Sequence, residues 1–139
     1  MKLKFISLLT VSLITSSSCR KNSSFIPDIP VQLVLNTLNP EYQNLNGIGG
    51  WSYVEGGSRG IIVFRSDFNE FKAYDRHCSY EPENSCGQVS VSDNNLFAKD
   101  SCCNSQFQLI DGLPLDGPAT RGLQQYNTSF DGNIIQVWN

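Results

Sequence analysis

The sequence predicts an all-β fold, an antiparallel β-sandwich or small barrel, and three observations predict it. From Pro30 onward, short β-branched and aromatic runs are broken roughly every eight to twelve residues by Gly, Asn, Asp or Pro. No segment shows helical periodicity. Clusters that tolerate positive φ, namely Gly56-Gly57-Ser58, Asp93-Asn94 and Asp131-Gly132-Asn133, sit between successive runs as tight hairpin turns. The predicted strands follow in order. Val31–Asn36 (VQLVLN) and Trp51–Val54 (WSYV) flank Gly47-Ile48-Gly49-Gly50, which reads as a bend. It is not a phosphate loop, because neither a lysine nor a helix follows it. Gly60–Arg65 (GIIVFR) and Phe71–Asp75 (FKAYD) come next, then Gly87–Ser92 (GQVSVS) and Asn95–Ala98 (NLFA). Phe107–Leu109, Leu123–Thr128 and Ile134–Trp138 complete the series.

The 139 residues suffice for one domain of ordinary size, and the first of them do not read as part of it. Residues 1–18 carry Lys2 and Lys4, an apolar run from Phe5 to Ile14, and Ser16-Ser17-Ser18 before Cys19: the layout of a secretory signal. The run is about half the length that a bilayer-spanning helix needs. A cysteine directly after small residues resembles the lipobox of bacterial lipoproteins, with Ser16 standing where the lipobox carries leucine. The resemblance implies acylation of Cys19 and contact with membrane lipid, each buried methylene contributing about 0.8 kcal/mol. Residues 19–29 form a polar tether, and 30–139 the β domain. Removing residues 1–18 leaves 8 basic and 13 acidic side chains, a balance of −5 that argues against a nucleic-acid partner. The expected setting is the bacterial cell envelope, lipid-anchored and facing the periplasm or surface, where thiols tend to become disulfides.

Asp100 to Tyr126 carries the most informative pattern. Cys102-Cys103-Asn104-Ser105-Gln106-Phe107 is followed by Gly117-Pro118-Ala119 and then by Leu123 and Tyr126. That series resembles the second half of a Rieske [2Fe–2S] domain, with its Cys-His-Gly-Ser-x-Phe loop, its Gly-Pro-Ala covering loop and its closing strand. The likeness extends from Tyr74 to Tyr126 and implies a Rieske-like β fold with a loop-rich subdomain of the cluster-binding type. A Rieske centre holds one iron by two cysteines and the other by two histidines. Matched position by position, Cys78 takes the place of the first-loop cysteine and Tyr80 that of the first-loop histidine. Asp100 takes the place of the second-loop cysteine and Cys103 that of the second-loop histidine. The chain has one histidine, His77, so one copy cannot build an ordinary centre. His77 is expected to be a partly exposed loop residue whose side chain points away from the face that Cys78 presents.

Respiratory-type Rieske proteins tie their two loops with a disulfide, and the matching positions are Cys86, displaced by about three residues, and Cys102. The resemblance thus implies Cys86–Cys102, and it leaves Cys78 and Cys103, two positions that face one cluster in the family. Those two are expected to close on each other if their Cα atoms lie within about 7 Å. Cys78–Cys102 with Cys86–Cys103 is the competing connectivity.

Three functional classes follow. The first is a monomeric, cluster-free structural or binding module, stabilised by disulfides, with an unidentified periplasmic protein as partner and no cofactor. The second is an electron-transfer protein that keeps a [2Fe–2S] cluster on altered ligands drawn from Cys78, Cys86, Cys102, Cys103, Asp100 and His77. The third is a thiol-disulfide protein using Cys102-Cys103, a pair that lacks the helix N-terminus such chemistry uses. The cysteine spacing lacks the paired Cys-x2-Cys knuckles of a structural zinc site. Asp111, Asp116 and Asp131 sit beside glycines as turn residues, and no catalytic constellation stands out.

Overall fold

The computed structural model describes residues 25–139, so the leader, Cys19 and most of the tether lie outside the described residues. Ten strands follow in chain order: β1 (Gln32–Asn36), β2 (Trp51–Val54), β3 (Ile61–Asp67), β4 (Glu70–Asp75), β5 (Val89–Val91), β6 (Phe97–Asp100), β7 (Gln106–Gln108), β8 (Pro114–Asp116), β9 (Gln125–Phe130) and β10 (Ile134–Trp138). They form two antiparallel sheets. The larger runs β1-β10-β9-β4-β3-β2 and the smaller β5-β6-β7-β8. The smaller sheet is an insertion between β4 and β9, which pair directly through Ala73↔Tyr126 and Tyr74↔Gln125.

The apolar run Ile61-Ile62-Val63-Phe64 does not alternate with polar residues, because β3 is buried on both faces. Side chains point alternately to the two faces of a strand, and two cores result. Ile61 and Val63 join Leu35, Phe71, Ala73, Tyr126, Ile135 and Val137 on one face of the larger sheet. Ile62, Phe64 and Tyr74 join Val89, Ala98, Phe107 and Leu109 of the inserted subdomain on the other. The second core is therefore the joint that fixes the subdomain to the sheet.

Two elements depart from the sequence reading. A 3-10 helix spans Pro40–Asn46 and buries Leu45 completely. One buried residue in seven leaves no helical periodicity to detect. Strand β8 begins with Pro114 and lies at the edge of the smaller sheet, where a missing N–H is tolerated. Three residues are too few for an alternation signal. The three predicted hairpin turns fall between β2 and β3, β5 and β6, and β9 and β10.

Candidate functional site

The site sits at the end of the subdomain, where the loop after β4 meets the turn between β6 and β7. A buried carboxylate organises the first loop. Asp75, the last residue of β4, accepts at Oδ2 from the Ser58 N–H (2.6 Å) and the Tyr126 hydroxyl (2.8 Å). Its Oδ1 accepts from the His77 N–H (2.8 Å) and the Arg59 N–H (3.2 Å). The close approach requires glycine at position 57: its φ is +59°, and a Cβ there would lie 2.3 Å from Asp75 Oδ2. The Arg59 guanidinium then bonds the carbonyls of Gly87 (2.6 Å) and Asn84 (2.7 Å), bracing the loop that follows Cys78.

His77 departs from expectation. It is buried, and an antiparallel bridge to Gln88 carries its backbone toward β5. Its Nε2–H donates to the Pro82 carbonyl (2.7 Å), so Nδ1 accepts from the Ser58 hydroxyl (2.8 Å). Both ring nitrogens are used in holding the loop. The partners come from segments that no local pattern links to His77.

In the second loop Asp100 ends β6, almost fully buried at 1% exposure. Its Oδ1 turns back to accept from the N–H groups of Cys102 (2.6 Å) and Cys103 (3.4 Å). Its Oδ2 is buried, with no geometric hydrogen-bond partner among the described residues. Asn104 takes φ +63°, and its N–H bonds the Asp100 carbonyl at 2.9 Å, closing the turn. Cys86 and Cys102 form a disulfide with a Cα–Cα distance of 5.9 Å, tying the two loops together. Cys102 is therefore not half of a free Cys102-Cys103 dithiol. Of the two expected bridges, Cys86–Cys102 is present but Cys78–Cys103 is not: Cys78 and Cys103 are separate thiols whose sulfurs stand 3.8 Å apart, beyond bonding distance. Burial first, and the neighbouring Asp100 carboxylate second, push the Cys78 thiol far above its ordinary range.

Three of the four expected ligand positions converge. The sulfurs of Cys78 and Cys103 and a carboxylate oxygen of Asp100 all lie within 4.8 Å of one another. Tyr80 is half-buried and packs, like Cys103, against the second core. The segment Gly117-Pro118-Ala119 covers the site. Ala119 is buried, and its N–H donates to the Ser105 hydroxyl (3.1 Å), which in turn contacts Cys103 Sγ (3.1 Å). On the other side the Ser79 hydroxyl donates to the Arg121 carbonyl at 2.6 Å. The segment 117–121 thus touches both loops. Sequence reasoning placed these residues but missed the Asp75–Ser58–His77–Tyr126 network, for which a carboxylate ending a strand near a Gly-Gly-Ser turn is the only local sign.

Neither a family model nor a curated protein matches the chain. Solved structures do. The cyanobacterial plasma membrane Rieske protein of Synechocystis PCC 6803 aligns with a TM-score of 0.58 at 24% identity, covering 76% of this chain and 97% of that one. The ferredoxin of carbazole 1,9a-dioxygenase from Nocardioides aromaticivorans aligns with a TM-score of 0.50 at 18% identity, covering 78% and 95%. Sheet order, inserted subdomain and these likenesses agree, and the chain has the Rieske-like fold.

Proposed function

We propose that the protein is a cell-envelope module with a Rieske-like fold, held at a membrane surface through acyl chains on Cys19, that serves a structural or binding role without the two-iron cluster. The observation that carries this reading is the spacing of Cys78 and Cys103. They stand where the resemblance assigns ligands to different irons, yet their sulfurs are 3.8 Å apart. Two thiolates bound to one tetrahedral ion at about 2.3 Å lie about 3.8 Å from each other. Ligands to different irons are held farther apart by the separation of the irons, so the spacing of these sulfurs supports a reading without the two-iron cluster.

The donor set supports the same reading. Two cysteines, an aspartate and a tyrosine replace two cysteines and two histidines, and His77 spends both ring nitrogens on Ser58 and Pro82. The Cys86–Cys102 bridge, with a sequence separation of 16, supplies about 3 kcal/mol by a chain-entropy estimate, an organisation of the loops that needs no cluster. A thiol-disulfide enzyme is not favoured: a reactive thiol needs a lowered pKa, and burial moves Cys78 the other way. Among the described residues no helix is long and apolar enough to cross a membrane, which is compatible with attachment through Cys19.

Iron and acid-labile sulfide analysis of the full chain, purified anaerobically, tests the proposal together with its visible spectrum. A colourless protein without labile sulfide is the expected result. A brown protein with a paramagnetic reduced state would overturn it.

A further inference from the structure

We propose that Cys78, Asp100 and Cys103 form a mononuclear site for a thiophilic divalent cation of the Zn2+ class. This rests on the cluster-free reading above and gives the site an occupant.

Three observations carry the inference. The first is geometric: a sulfur–sulfur distance of 3.8 Å is the edge of a tetrahedron around one ion with bonds of about 2.3 Å. The thiols need not move apart to share an ion. The second is the convergence of a third donor, with all three ligand atoms within 4.8 Å of one another. A smaller ligand bond of about 2.0–2.2 Å to a carboxylate oxygen suits the same ion.

The third observation is Asp100 itself. Asp100 is a carboxylate at 1% exposure whose Oδ2 has no geometric hydrogen-bond partner among the described residues, and the group that interacts with it from this side is the Cys78 thiol, itself a candidate ligand. Its other oxygen is committed to the N–H groups of Cys102 and Cys103, so the side chain is oriented and Oδ2 is left over. A cation shared with the two sulfurs supplies the missing partner. Direct closure of Cys78 on Cys103 would leave Oδ2 as orphaned as before, so a disulfide explains one observation fewer.

The surroundings also suit metal ligands, whose orientation is usually fixed by hydrogen bonds from a second layer of residues. The Ser105 N–H donates to Cys103 Sγ at 3.5 Å, and the Ser105 hydroxyl is pinned by Ala119. Cys78 is fully buried, and its N–H is held by the Gly87 carbonyl at 3.0 Å. Cys103 is half-exposed, so the ion would enter from its side. On binding, both thiol protons leave to solvent as the sulfurs become thiolate ligands, and no electron is transferred. Three protein donors leave a fourth position for water or for a side chain from a partner.

The test uses the full chain with its Cys86–Cys102 bridge intact, stripped of metal, and titrated separately with Zn2+ and with Co2+ as a coloured reporter. We expect one ion per chain by native mass spectrometry, and tetrahedral Co2+ bands with thiolate charge transfer. Asp100→Asn keeps an oxygen for the turn and is expected to weaken Zn2+ binding at least about tenfold; Cys103→Ser, at the half-exposed position, is expected to lose about half of the charge-transfer intensity and weaken binding further. A Cys86→Ser, Cys102→Ser double variant is expected to keep both signals. Circular dichroism of each variant separates lost binding from lost fold. A metal-free chain four hydrogens lighter than its fully reduced mass would show a Cys78–Cys103 bridge and sink the inference while leaving the cluster-free reading intact. Zn2+ affinity unchanged in folded Asp100→Asn and Cys103→Ser would also sink it. Labile sulfide in the protein as isolated would overturn both.

Discussion

Asp75 and Asp100 each end a strand as buried carboxylates, yet one is saturated and the other is not. Asp75 collects four donors, from Ser58, Arg59, His77 and Tyr126. Asp100 collects two on Oδ1 and none on Oδ2. A saturated carboxylate is a structural joint, whereas one with a geometrically unsatisfied buried oxygen calls for an explanation, which the proposed cation supplies. The joint can be tested by Tyr126→Phe, which removes one donor and little volume. Hydrogen bonds to charged groups contribute more than neutral ones, so the variant should lose about 2 kcal/mol of stability in denaturant unfolding. A loss below about 0.5 kcal/mol would show that Ser58, Arg59 and His77 hold Asp75 unaided. Asp100 was legible in the sequence only as a ligand position with the wrong residue in it. Which of its oxygens is occupied depends on a turn closed by Asn104, and no spacing rule reports that.

At the scale of elements, the site is made by three loops pressed together: the one after β4, the β6–β7 turn and the Gly117-Pro118-Ala119 cover. The contact between the last two leaves no room for a side chain. Gly117 has φ +89°, and a Cβ there would lie 2.6 Å from Ser105 Cα and 2.9 Å from its nitrogen, both backbone atoms. Gly117→Ala should therefore cost about 2 kcal/mol through strain and a displaced cover. Its mark should be increased reactivity of Cys103 toward a thiol reagent in the folded protein, and unchanged labelling would mean the cover does not guard the site. The order Cys-Cys-Asn-Ser, Gly-Pro-Ala, Leu, Tyr was readable along the chain because each loop carries its own turn chemistry. The 3-10 helix at Pro40–Asn46 and strand β8 were not readable, since one buried residue or three extended ones leave no period.

The whole molecule is a sheet with a core on each face, one of them shared with the inserted subdomain. The membrane attachment proposed for it rests on Cys19, outside the described residues. Cys19→Ser is expected to move the protein from the membrane fraction to the soluble envelope fraction without changing its fold. Retention in washed membranes would mean that something other than acyl chains on Cys19 holds it. What the sequence by itself determined was the all-β class, most strand positions and the hairpin turns, because period-two burial and turn residues act between near neighbours, while the order of loops was implied by its resemblance to the Rieske family. Only the tertiary structure decided that His77 is buried and fully engaged, that Cys78 and Cys103 are separate thiols, and that two sulfurs and a carboxylate share one small space. Those facts depend on segments 16 to 25 residues apart along the chain, such as Cys86 with Cys102 and Cys78 with Cys103, meeting across packed loops. Where such segments meet is set by two cores filling together, which no local stretch of chain encodes.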